Sequence, residues 1–114
     1  MGTRPLNVSV STVLNGTGKG TVSAGPSMPG VEWYPSTVAV VVAPVSTTTI
    51  SQFALYNGAA GAANFLGGTY TGDNNSDDVG VTLYPGMVLT GVWTLGNPGA
   101  VATMVITGTM KVPG

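Results

Sequence analysis

From Ala102 to Val112 the chain alternates without a slip. Ala102, Met104, Ile106, Gly108, Met110 and Val112 fall on one side, and Thr103, Val105, Thr107, Thr109 and Lys111 on the other. A period of two is the signature of a strand with one face buried, because successive side chains leave the backbone in opposite directions. Leu6, Val8 and Val10 alternate with Asn7, Ser9 and Ser11 in the same way, which predicts a first strand over residues 5–14. No window of a dozen residues sustains the i, i+3, i+4 apolar spacing of a helix, so the chain reads as all-β.

Turn residues divide the remainder. Asn15-Gly16 suits a type I′ turn and predicts an opening hairpin onto a second strand at 20–24. Pro26, Pro29 and Pro35 remove backbone donors, which predicts a long loop over 25–35 carrying Trp33 and Tyr34. The apolar, β-branched run 37–43 reads as a central strand covered on both faces. Further strands are expected over 49–56, 64–71, 79–83 and 87–95, with a polar loop at 72–78. Pro85-Gly86 fits the middle of a type II turn, and Gly96-Asn97-Pro98-Gly99 predicts a closing hairpin onto the last strand. Seven or eight short strands in 114 residues point to one antiparallel β-sandwich or jelly-roll domain spanning 1–114, with the strand order left open.

Composition narrows the chemistry. The chain has no His and no Cys, which removes His-based triads, thiol nucleophiles, ordinary zinc or haem ligation and disulfides. No cofactor and no enzymatic activity is expected. Only 6% of residues are charged and the net charge is −1, so no basic stripe is present for nucleic acid. The longest apolar run is far shorter than the ~20 residues that span a bilayer as a helix, and neither a secretory leader nor a myristoylation pattern is expected at the start. The sequons at Asn7, Asn15 and Asn74 are read as chance in an Asn- and Thr-rich chain.

Three local patterns invite chemistry and are outweighed. Gly16, Gly18, Lys19 and Gly20 lack the order and the following helix of a phosphate loop. The cluster at 72–78, with Asp73, Asp77 and Asp78, has oxygen ligands suited to calcium but no closing Glu at EF-hand spacing, so a solvated Asx turn is preferred. Glu32 beside Trp33 and Tyr34 suggests glycoside hydrolysis, yet the chain has four carboxylates in all and three lie in that one cluster. A sugar-binding surface built from Trp33, Tyr34, Tyr56, Tyr70 and Tyr84 is the stronger alternative; Trp93, on an alternating segment, is read as core.

The Pro85-Gly86 turn, the strand carrying Trp93, the turn Gly96-Asn97-Pro98-Gly99-Ala100 and the run Ala102 to Thr109 together resemble small β-proteins among the virion structural proteins of tailed phages, chiefly those of actinobacterial hosts. Gly68-Thr69-Tyr70-Thr71-Gly72 before an Asp/Asn/Ser segment is similar to the same group, and the likeness covers roughly residues 65–112. Leu95 stands where that group would carry Gly. The resemblance implies a virion component assembled in the host cytoplasm. Its implied partners are the major capsid protein or other virion proteins, and it implies no catalytic residues. Capsid decoration is the first expectation, and a tail, baseplate or receptor-binding role the second. The uncharged face of the last strand (Val101, Thr103, Val105) and the aromatic pair Trp33 and Tyr34 are the expected interface, in a homo-oligomer.

Overall fold

The computed structural model describes residues 2–43, 52–59, 61–71 and 74–113. Eight strands follow one another: β1 (Gly2–Val13), β2 (Gly20–Ala24), β3 (Glu32–Ala43), β4 (Gln52–Asn57), β5 (Phe65–Thr71), β6 (Asn74–Asp78), β7 (Leu89–Thr94) and β8 (Val101–Val112). The described residues contain no α-helix, only a 3-10 turn at Ala62–Asn64 before β5. The strands form two antiparallel sheets, sheet A in the order β1-β8-β3-β6 and sheet B in the order β2-β7-β4-β5.

This order has a simple origin. First pairs with last (β1 with β8), second with second-last (β2 with β7), and so on inward to β3 with β6 and β4 with β5. The chain is one long antiparallel hairpin rolled up until β3 also meets β8 and β4 meets β7. That is a jelly roll, the finer of the two architectures consistent with the strand pattern. Only β4 to β5 joins neighbours within one sheet; every other connection crosses between sheets.

Both expected terminal hairpins are therefore corrected. The Asn15 turn carries the chain from sheet A to sheet B, and the 96–99 turn carries it back. Gly16 does not have a positive φ; that role falls to Gly18, with φ 74°. The Asn15 side-chain oxygen accepts from the Thr17 and Lys19 amides, at 2.9 and 3.1 Å, so the loop is held by its Asx side chain. The two crossing loops also bond each other. The Leu14 amide donates to the Ala100 carbonyl, and the Gly96 amide to the Gly18 carbonyl, each at 2.9 Å. Leu95, with φ 60°, is the non-glycine residue in the left-handed region among those described, at the place where glycine would be expected.

Other expectations also changed. The loop of 25–35 is shorter, since Trp33, Tyr34 and Pro35 already belong to β3. Pro35 is accommodated where the β3–β8 register shifts between Pro35 and Thr37. Gly108 lies opposite that irregularity, where a Cβ would collide with the Tyr34 carbonyl oxygen. Residues 74–78, expected in a polar loop, form β6 against Thr37–Val41. Gly72 and Asp73 lie outside the described residues, as do residues 49–51 of the expected fourth strand. Residues 79–82 form no strand, and their expected element survives as one bridge between Leu83 and Trp33. The Pro85-Gly86 turn stands as expected: the Met87 amide donates to the Tyr84 carbonyl at 2.9 Å, and Gly86 has φ 91°.

The inward faces meet in one core. Sheet A contributes Leu6, Val38, Val40, Val42, Ala102, Met104 and Ile106, and sheet B contributes Val22, Phe53, Leu55, Leu89 and Trp93. Leu14, Leu83 and Ala100 close the core from the connections. The rings of Phe53 and Trp93 lie 4.8 Å apart at 54°. Gly91 leaves room for them, because a Cβ there would lie 2.6 Å from the Phe53 ring.

Candidate functional site

The outer face of sheet A follows from register alone. In an antiparallel ladder, directly opposed residues project from the same side of the sheet. Across β1, β8 and β3 the outward rows are therefore Val13–Val101–Ala43, Ser11–Thr103–Val41, Ser9–Val105–Ala39 and Asn7–Thr107–Thr37. None of these twelve residues is charged. The valine corner is open: Val13, Val41 and Val101 are 61%, 42% and 45% exposed. The 37–43 run is thus corrected from covered on both faces to covered on one, since Val38, Val40 and Val42 are buried while Val41 and Ala43 face out.

The opposite end of the same face differs. Its rows are Pro5–Thr109–Tyr34 and Thr3–Lys111–Glu32. The Tyr34 hydroxyl donates to Glu32 Oε1 at 2.9 Å, and Lys111 Nζ lies 3.9 Å from Glu32 Oε2. The hydrogen bond to Glu32 raises the Tyr34 pKa above its ordinary value, with burial and the negative charge of Glu32 adding to it. The opposed charges Glu32 and Lys111 mark this end, about 34 Å along β8 from Val101 at the usual rise per residue, and a further charge borders the uncharged block from β6, where Asp78 is opposed to Thr37.

The structure brings Tyr34, Val101, Thr103 and Val105 onto one face and separates Trp33 from them. Trp33 stands opposite Met110 on the inward side of β3 and lines a cleft of about 450 Å³ with Pro26, Met28, Val31, Met110 and Pro113. The aromatic platform considered for sugar binding is assembled only in part, with Tyr84 brought near Tyr34 beside the Leu83–Trp33 bridge and the others apart. Tyr56 lies on sheet B in edge contact with Phe65 at 5.7 Å, Tyr34 lies on sheet A, and the side chain of Tyr70 is outside what the structure describes. Among the described residues no three acidic groups approach closely enough to hold a metal ion. Sequence reasoning missed Val13, Val41, Ala39 and Ala43 as members of the face. Each lies in an alternating segment, but only the pairing of β1 and β3 on either side of β8 places them beside Val101 and Val105.

No protein-family model matches the chain, and no curated protein matches it.

Proposed function

We propose that this chain is a non-enzymatic structural module of a tailed-phage particle, a capsid decoration protein that seats the outer face of sheet A on the shell of major capsid protein. The observation that carries this reading is the block of four uncharged rows from Val13–Val101–Ala43 to Asn7–Thr107–Thr37, with its open valine corner. Monomeric proteins blunt long regular strands with charge, proline or bulges, and clustered exposed apolar residues mark interaction sites. A regular lattice of binding sites multiplies a modest contact through avidity. The jelly roll also serves viral capsid proteins, though a fold alone does not assign a function. The resemblance of residues 65–112 to virion proteins supplies the setting.

Mass spectrometry of purified particles tests the proposal. The expected result is the protein present at a copy number in fixed proportion to the major capsid protein. A tail or baseplate role predicts a copy number that follows the tail components and not the major capsid protein. Absence from particles together with specific glycan-array binding would replace the proposal with a carbohydrate-binding module.

A further inference from the structure

The two sheets have four edge strands, β1 and β6 in sheet A and β2 and β5 in sheet B. Three are poor templates for further pairing. β2 and β6 are five residues long, β6 ends in Asp77-Asp78, and the ladder that ties β5 to β4 carries two register shifts. β1 is different. It is twelve residues long, pairs with β8 in unbroken register, and has Arg4 as its one charged residue.

The polarity of its free edge can be assigned. The Leu14 amide, just past β1, donates toward the β8 side at Ala100, so even-numbered amides point inward to β8 and odd-numbered ones outward. Pro5, which has no amide hydrogen, falls at an odd position where the β8 ladder loses nothing. The backbone groups of Asn7, Ser9, Ser11 and Val13 thus face the open edge, and no hydrogen bond among the described residues satisfies them from that side. Val8 and Val10 turn toward the core yet remain half-exposed at this margin.

We propose that β1 pairs antiparallel with β1 of a second copy of this chain, with Val10 on the two-fold axis. This is the longest register that keeps both Pro5 and the Asn15 turn out of the ladder. It opposes Asn7 to Val13 and Ser9 to Ser11 as hydrogen-bonded pairs, and Val8 to Thr12 and Val10 to Val10 as non-hydrogen-bonded pairs. Arg4 overhangs and meets no like charge. Two copies of sheet A become one eight-stranded sheet, the half-exposed Val10 side chains cover each other, and the uncharged blocks of the two outer faces become contiguous across β1. A two-fold contact of this kind is self-complementary and closed.

The chain has no cysteine, which makes the test clean. Opposed residues in a non-hydrogen-bonded pair have Cα atoms about 4.5 Å apart, within disulfide range. Under mild oxidation at micromolar protein, Val10→Cys should crosslink to itself about a hundredfold faster than Val8→Cys or Thr12→Cys alone, given the millimolar effective concentration inside a dimer. Mixing Val8→Cys with Thr12→Cys should restore the fast rate. Ser9→Pro, which removes an edge-directed amide and leaves the β8 ladder intact, should sediment as a folded monomer. Equal crosslinking at all three positions, or a wild-type chain that sediments as a monomer at about 100 μM, overturns the proposal. Val105→Lys should leave the crosslinking unchanged, so failure of the particle-docking reading and failure of this one are separable.

Discussion

Sheet A and sheet B enclose the same core with different means. The three principal strands of sheet A are twelve residues each, whereas those of sheet B run from five to seven. The bulkiest core side chains, Trp93 and Phe53, come from the short strands, and the long strands meet them with Val, Leu, Ala, Met and Ile. Sheet B therefore supplies the largest packed side chains and sheet A most of the presented surface. A long flat strand stabilises the fold with one face and leaves the other free to be selected for contact.

The largest effect that would break this comparison is expected in sheet B. Trp93→Ala should cost about 3–5 kcal/mol in a denaturant titration, since a fully buried ring packed at a tilt against Phe53 is lost. A loss below about 1 kcal/mol would mean that the packing load lies elsewhere. Gly91→Ala should cost about 1–3 kcal/mol by forcing the Phe53 ring away, measured the same way. Val105→Lys, in the middle of β8, should change stability by no more than about 0.5 kcal/mol, because that side chain projects from the outer face. The same substitution on the inward side of β8 would be ruinous. The smallest effect is at the charged end of sheet A. Tyr34 has a raised pKa, so its contribution to stability is complete below the ordinary tyrosine pKa of about 10 and is lost as pH rises through the raised value. Tyr34→Phe should lower neutral-pH stability by that same small contribution and abolish the alkaline decline, as followed by thermal melts across pH.

Much of this division was legible in the sequence because it rests on alternation. Ala102, Met104 and Ile106 are buried, Leu6 is buried, and Trp93 is core, as their spacing requires. What was not legible is which sheet each strand joins. Asn15-Gly16 and Pro98-Gly99 reverse the chain equally well within a sheet or between sheets, and only the nested pairing of distant strands decides. β6 shows the same limit. Asn74-Asn75-Ser76-Asp77-Asp78 has poor strand propensity and is held extended by its ladder to Thr37–Val41, so tertiary context overrides local preference. Conversely, Val79, Val81 and Leu83 alternate like a strand, but beyond the Val79 amide donating to the Ser36 carbonyl the chain there bridges β3 only at Leu83. Of the expected interface residues, Tyr34, Val101, Thr103 and Val105 do share a face. Trp33 does not, because adjacent residues on a strand must project to opposite sides.

Assigning the presented surface to sheet A is the central claim, and a paired substitution tests it most directly. Val105→Lys places one charge inside the uncharged block of rows on the outer face of sheet A, and Thr21→Lys places the same charge on the exposed outer face of sheet B. Each folded variant, and the wild type, is mixed with purified phage capsids lacking the protein, and the bound fraction is measured by co-sedimentation. The predicted result is wild-type binding for Thr21→Lys and at least a tenfold loss for Val105→Lys, about 1.4 kcal/mol or more per docked copy. Wild-type binding by Val105→Lys, or a loss confined to Thr21→Lys, would contradict it.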